Sequence, residues 1–155
     1  MARVVSEIVD VYVFRRRDLS VDYLLLRRSA VEVLPGTWQA VHGRIRPGET
    51  APQTALRELS EETGLKPLAM HQIDGVNTFY QARDDTVHHC PCFAVEVAGD
   101  AEPVLNEEHD AYEWIDFDQA LARFPWPGQR RALREIRHEI VHRGPAIQYL
   151  RIDLP

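Results

Sequence analysis

Hydrophobic residues fall into two rhythms along this chain. From Val4 to Phe14, and again from Tyr23 to Leu26, apolar residues crowd into short runs, the first with polar residues interspersed, as strands do. Arg15 to Asp18, with Ser20, supply the link between the two. Residues 38–45, WQAVHGRI, predict a third extended segment, closed by the turn signal RPGE. A helix is predicted next, over Ala51–Thr63. Thr50 is placed to cap it, Gln53 stands three residues later as in a capping box, Pro52 is tolerated in the first turn, and Gly64 suits the C-terminal turn. Ala55, Leu56, Leu59 and Thr63 give this helix one packing face.

Further on, DGVNTFYQA and TVHHCPCFAVEV predict two strands joined around RDD as a hairpin, and AYEWID predicts a short last strand. Asp116 is placed to cap a short helix reaching Phe124. After the turn PWPG, the spacing of Ala132, Leu133, Ile136, Ile140 and Val141 predicts a helix over Gln129–His142. Residues 1–143 read as a single domain, and 144–155 as a short tail able to dock on the body or on a partner chain.

At 155 residues and 45% hydrophobic content, the chain can bury one substantial core. Eighteen basic against 24 acidic side chains give a net charge of −6, which argues against a broad basic face for extended nucleic acid or an anionic membrane. Glu7 and Asp10 interrupt the first apolar run, so it offers neither a signal-peptide core nor a membrane span. Cys90 and Cys92 stand two apart, predicted to share one face of an extended segment without easy disulfide geometry. No second cysteine pair is present to complete a zinc site. The chain therefore reads as soluble, reduced and cytoplasmic.

The predicted helix over 51–63 carries a chemical oddity. Glu58, Glu61 and Glu62 project from one side of it, close to its C-terminal end. Glutamates four apart repel by roughly 0.2–0.5 kcal/mol, and carboxylates near a helix C-terminus oppose the macrodipole. A small hard cation such as Mg²⁺ or Mn²⁺ would relieve both, because such ions prefer carboxylate oxygens and keep coordination positions for water and phosphate. Arg57, one turn before Glu61, is placed to hold that carboxylate.

From Gly43 to Leu65 the chain reads GRIRPGETAPQTALRELSEETGL, fitting G-x5-E-x7-R-E-U-x-E-E-x-G-U with U a bulky aliphatic residue. This resembles the Nudix box of the Nudix hydrolases, the MutT-like family. The resemblance implies an α/β fold with a mixed β-sheet sandwiched between helices. It implies Glu58, Glu61 and Glu62 as ligands of Mg²⁺ or Mn²⁺, with Glu58 or a neighbour as candidate base. Arg57 would orient them, Glu49 would support the loop, and Gly43 and Gly64 would be structural positions of the motif. The main-chain carbonyl of His42 would join the metal shell, and Glu108, with Glu107 as fallback, would supply one further acid from a loop. The activity implied is hydrolysis of a nucleoside-diphosphate-linked substrate.

Outside the box, Trp38-Gln39-x-Val41-x-Gly43, GETAPQTALRE and EHDAYEWID resemble the group acting on dATP and dihydroneopterin triphosphate, which releases pyrophosphate. Trp38 is a candidate for stacking on a base, and Arg27, Arg44 and Arg46 for phosphate contacts. Expected partners are therefore small nucleotide or pterin triphosphates, and a homodimer follows by analogy with relatives. Three alternatives stand beside this reading. One is a Nudix hydrolase of nucleotide sugars or dinucleoside polyphosphates, and another is a non-catalytic nucleotide-binding module. The third is a zinc peptidase built on HEIVH at 138–142, against which no His or Glu follows as a third ligand. His88 and His89 carry no spacing that suggests a site.

Overall fold

The computed structural model describes residues 1–155. Its elements, in order, are β1 (Arg3–Val5), β2 (Ile8–Arg17), β3 (Ser20–Arg28), β4 (Trp38–Gln39), β5 (Val41–Arg44), α1 (Ala51–Thr63), β6 (Ala69–Gln72), β7 (Asn77–Gln81), β8 (Thr86–Cys90), β9 (Cys92–Val97), β10 (His109–Ile115), α2 (Phe117–Arg123), α3 (Pro127–Glu135), a π-helical extension (Ile136–Val141), α4 (Ile147–Leu150) and β11 (Arg151–Ile152).

The larger sheet runs β10-β3-β2-β9-β6-β11, with β4 added to β3 and β5 to β2. The smaller sheet runs β1-β8-β7. Strands β2 and β9 pair in parallel, as do β1 and β8, and the remaining pairs are antiparallel. The sheet lies between helices and splits the core in two. Tyr12 and Phe14 of β2 face the cluster that takes in Phe124, Leu133, Ile136 and Ile140, whereas Val9, Val11 and Val13 face the cluster holding Ala55 and Leu59 of α1. Every residue of Ile8–Phe14 is buried, because a central strand covered on both faces needs a nearly continuous apolar run.

Helix α1 has the predicted bounds and caps. Thr50 accepts from the Gln53 N–H, the Gln53 side chain accepts from the Thr50 N–H, and Gly64 closes the helix in the left-handed region at φ 66°. Full burial of Leu59 contributes about 1.5–3 kcal/mol to seating it.

Elsewhere the boundaries move. The first predicted strand is two: β1 leaves for the small sheet, and β2 continues through Arg17 to a turn at Asp18. There φ is 43°. The segment 86–97 is also two strands, since the chain crosses from the small sheet to the large one at Pro91, which has no N–H to donate to a ladder. Cys90 and Cys92 flank that crossing as free, buried thiols. Their sulfurs and an Asp10 oxygen lie within 4.8 Å of one another.

The last long helix begins at Pro127, two residues early, and changes to π-helical winding at Ile136. A paired-histidine zinc site at 138–142 would need a third ligand beside both imidazoles. His138 instead projects largely into solvent beside Glu139, and no third ligand joins it. The tail folds back: β11 pairs with β6, a strand the hydrophobic rhythm does not mark.

Candidate active site

Strand β5 and helix α1 face each other at close range because residue 43 has no side chain. A Cβ on Gly43 would collide with the carboxyl group of Glu58. Glu58 is 7% exposed and Glu62 is fully buried, so the chain places two carboxylates against the sheet.

Glu62 is the outlier. Neither of its oxygens has a hydrogen-bond partner, an arrangement that is expensive unless something else satisfies the group. Burial first, then the neighbouring Glu108 and Glu58, pushes its carboxyl up to about 9. Burial likewise raises Glu58, although the Arg57 guanidinium opposes this. Ligating atoms of Glu62, Glu108 and His109 all lie within 4.8 Å of one another. Hard oxygen donors crowded together, one of them buried without a partner, fit a small divalent cation of the Mg²⁺ type.

Arg57 is the hub that orders these acids. Its Nε donates to Glu49 Oε1 at 2.6 Å, one Nη to Glu58 at 2.7 Å and Glu61 at 3.1 Å, and the other Nη to the Arg44 carbonyl at 2.9 Å. The Arg57 bond first, with Thr54 adding a second, holds Glu49 down at about 2. One guanidinium fork thus fastens the loop before α1 to the helix itself.

Glu61 sits farther out than Glu58 and Glu62 in this structure. It is drawn outward by Arg46 at 3.3 Å and by Arg57, with a side chain 43% exposed. The expected phosphate contacts also divide. Arg44 lines the cleft, but Arg27 is engaged with Asp110 at 2.7 Å and Arg46 with Glu61, and neither lines it. Arg28, one residue on from Arg27, does.

Several side chains in and beside the cleft take roles that the sequence does not assign. Asp10 accepts from His42 Nδ1 at 2.6 Å. Burial, the largest single influence, lowers that imidazole, but the Asp10 bond together with the Asp10 and Glu58 charges outweighs it, so His42 titrates above its ordinary value. His109, inside the EHDAYEW string, is held down at about 4 by burial and then by Arg28. Arg28 donates to Gln39 Oε1, which leaves the Gln39 amide nitrogen facing His109 Nε2 at 2.7 Å and assigns the imidazole proton to Nδ1. Asp10, Arg28, Gln39 and His42 line a cleft of about 970 Å³, which is also lined by Phe79 of the β7–β8 hairpin and by Trp126 before α3.

The family model described as the NUDIX domain matches residues 6–136. The chain belongs to the Nudix family. Members of this family are pyrophosphohydrolases acting on nucleoside phosphates, generally with a divalent metal such as Mg²⁺, and this Nudix chain is a phosphoanhydride hydrolase of that kind.

Among its relatives is an octanoyltransferase of Myxococcus xanthus, 37% identical over 127 residues. These cover 81% of this chain but only 35% of that protein. An asymmetrical bis(5'-nucleosyl)-tetraphosphatase of Rattus norvegicus is 29% identical over 147 residues, covering 86% of this chain and 94% of the relative. The solved structure of the E. coli dihydroneopterin triphosphate pyrophosphohydrolase superposes with a TM-score of 0.68 at 26% identity, covering 84% of this chain and 96% of that one. No helix of this Nudix chain is long and apolar enough to cross a membrane.

Proposed function

We propose that this Nudix hydrolase cleaves a nucleoside or pterin triphosphate of the dATP or dihydroneopterin triphosphate kind, releasing pyrophosphate. The observation that supports a hydrolytic site is the partnerless, buried carboxylate of Glu62 beside Glu58 and Glu108 at the edge of a substrate-sized cleft. The substrate class is supported by the strings around Trp38 and His109 and by the likeness to the dihydroneopterin triphosphate enzyme.

Glu58, Glu62, Glu108 and the main-chain carbonyl of His42 would hold the cation, with Glu61 at the rim. A bound Mg²⁺ or Mn²⁺ neutralises charge on the phosphate oxygens as the transition state develops. Arg57 fixes one Glu58 oxygen and leaves the other to face the cation, so the neighbouring Glu108, with no arginine on its carboxylate, accepts the proton of the attacking water. Water attacks phosphorus, the bond to the departing pyrophosphate breaks, and the proton resides on Glu108. Arg44 and Arg28 supply positive charge along the cleft for the phosphate chain.

A second reading, hydrolysis of dinucleoside polyphosphates, is favoured by the tetraphosphatase relative that matches along nearly its whole length. Incubating the enzyme and Mg²⁺ with dATP, dihydroneopterin triphosphate and diadenosine tetraphosphate, and resolving products by chromatography, separates the two. Pyrophosphate with a monophosphate supports the first reading. Turnover confined to the tetraphosphate, giving ATP and AMP, replaces it with the second.

A further inference from the structure

Trp38 lies under two guanidinium groups, Arg123 at 5.1 Å and Arg27 at 5.9 Å from its ring centroid, so its π surface is already engaged within the protein. Phe79 is in a different state. It sits on β7 directly across from His88 on β8, and the two rings stack with centroids 4.9 Å apart and planes 14° from parallel. His88 is 9% exposed, and neither of its ring nitrogens has a hydrogen-bond partner. The contact that this buried imidazole makes in place of a hydrogen bond is its stack against Phe79.

Phe79 itself remains 39% exposed and lines the same cleft as Glu58 and Glu108. A ring held rigid from behind and bare in front loses little side-chain freedom when a second ring is laid on it. An uncharged π face also suits a planar heterocycle better than a phosphate, for which the cleft offers Arg28 and Arg44. We infer that the open face of Phe79, backed by His88, is the platform on which the substrate's planar heterocycle stacks. This rests on the nucleoside phosphate reading above and transfers the base-stacking role from Trp38 to the hairpin.

Binding of AMP and, separately, of inorganic pyrophosphate to the Mg²⁺-loaded protein, measured by calorimetry without turnover, tests it. Stacking of one base on an aromatic ring predicts that Phe79→Ala weakens AMP about 5- to 150-fold. Pyrophosphate binding should be unchanged, and Phe79→Tyr should restore AMP. His88→Ala, which removes the backing and leaves the platform residue in place, should weaken AMP in the same direction. AMP affinity unchanged in Phe79→Ala, an equal loss of pyrophosphate affinity in a variant with native circular dichroism, or no AMP binding by the wild type would each overturn it. Absence of turnover across the substrate panel, with AMP binding still dependent on Phe79, would instead count against the assigned activity alone.

Discussion

Relative to the wild type, metal-free Glu62→Gln should become increasingly stable as the pH rises, although the residue replaced is one we propose as a cation ligand. In the folded state burial, Glu108 and Glu58 push this carboxyl from 4.5 up to about 9, while the unfolded chain leaves it at its ordinary value. Between those two values the native state binds more protons than the unfolded one. The wild type therefore loses stability with rising pH from about 4.5 upward, and the loss levels off above about 9. At pH 7.5 the gap is three pH units, which at 1.36 kcal/mol per unit comes to roughly 4 kcal/mol.

Gln cannot ionise, so its own packing cost is the same at every pH and cancels in a difference. The stability of Glu62→Gln minus that of the wild type should grow by roughly 2.7 kcal/mol between pH 5.5 and 7.5. Urea unfolding of both proteins at the two pH values, with EDTA present, measures this. Saturating Mg²⁺ should stabilise the wild type and leave the variant unmoved. Parallel stability curves in EDTA would refute the reasoning, since Glu62 would then be comfortable as an anion and would need no cation.

Other consequences concern the parts that hold the acids. Gly43→Ala forces a methyl group into the Glu58 carboxyl, so we expect a stability loss of about 1–3 kcal/mol with a large fall in turnover, read by denaturation and initial rates. Arg57→Lys keeps the charge and loses the fork to Glu49, Glu58 and Glu61. Its apparent Mg²⁺ affinity should drop about 10- to 100-fold, seen in the Mg²⁺ dependence of kcat/KM with the far-ultraviolet spectrum unchanged. Glu62→Gln should itself lower kcat at least about a hundredfold, about 2.7 kcal/mol of barrier.

Local signals made α1 and its acids legible from the sequence. A capping pair, a C-terminal glycine and a 3.6-residue rhythm all lie within a few residues of one another, and the box pattern coincides with them. Long-range pairing was less legible. Nothing near Pro91 says that Cys90 and Cys92 belong to different sheets, and β6 is too short to show alternation before β9 and β11 frame it. The outward turn of Glu61 follows from Arg46, fifteen residues away, and not from its position on the helix. The sequence marks Trp38 as a candidate for stacking because it is large and near the box, and it gives no sign that Arg123, some eighty residues on, lies over its ring. Phe79 had no distinguishing feature until the hairpin register set it against His88.

The claim on which the rest depends is that Glu58, Glu62 and Glu108 grip one divalent cation at the cleft edge. Anomalous diffraction from crystals soaked in Mn²⁺ tests it most directly. The account predicts a strong peak within bonding distance of the Glu62 carboxylate and at least one of the other two. A map from well-soaked crystals with no peak beside Glu62, while the three side chains remain ordered, would contradict it.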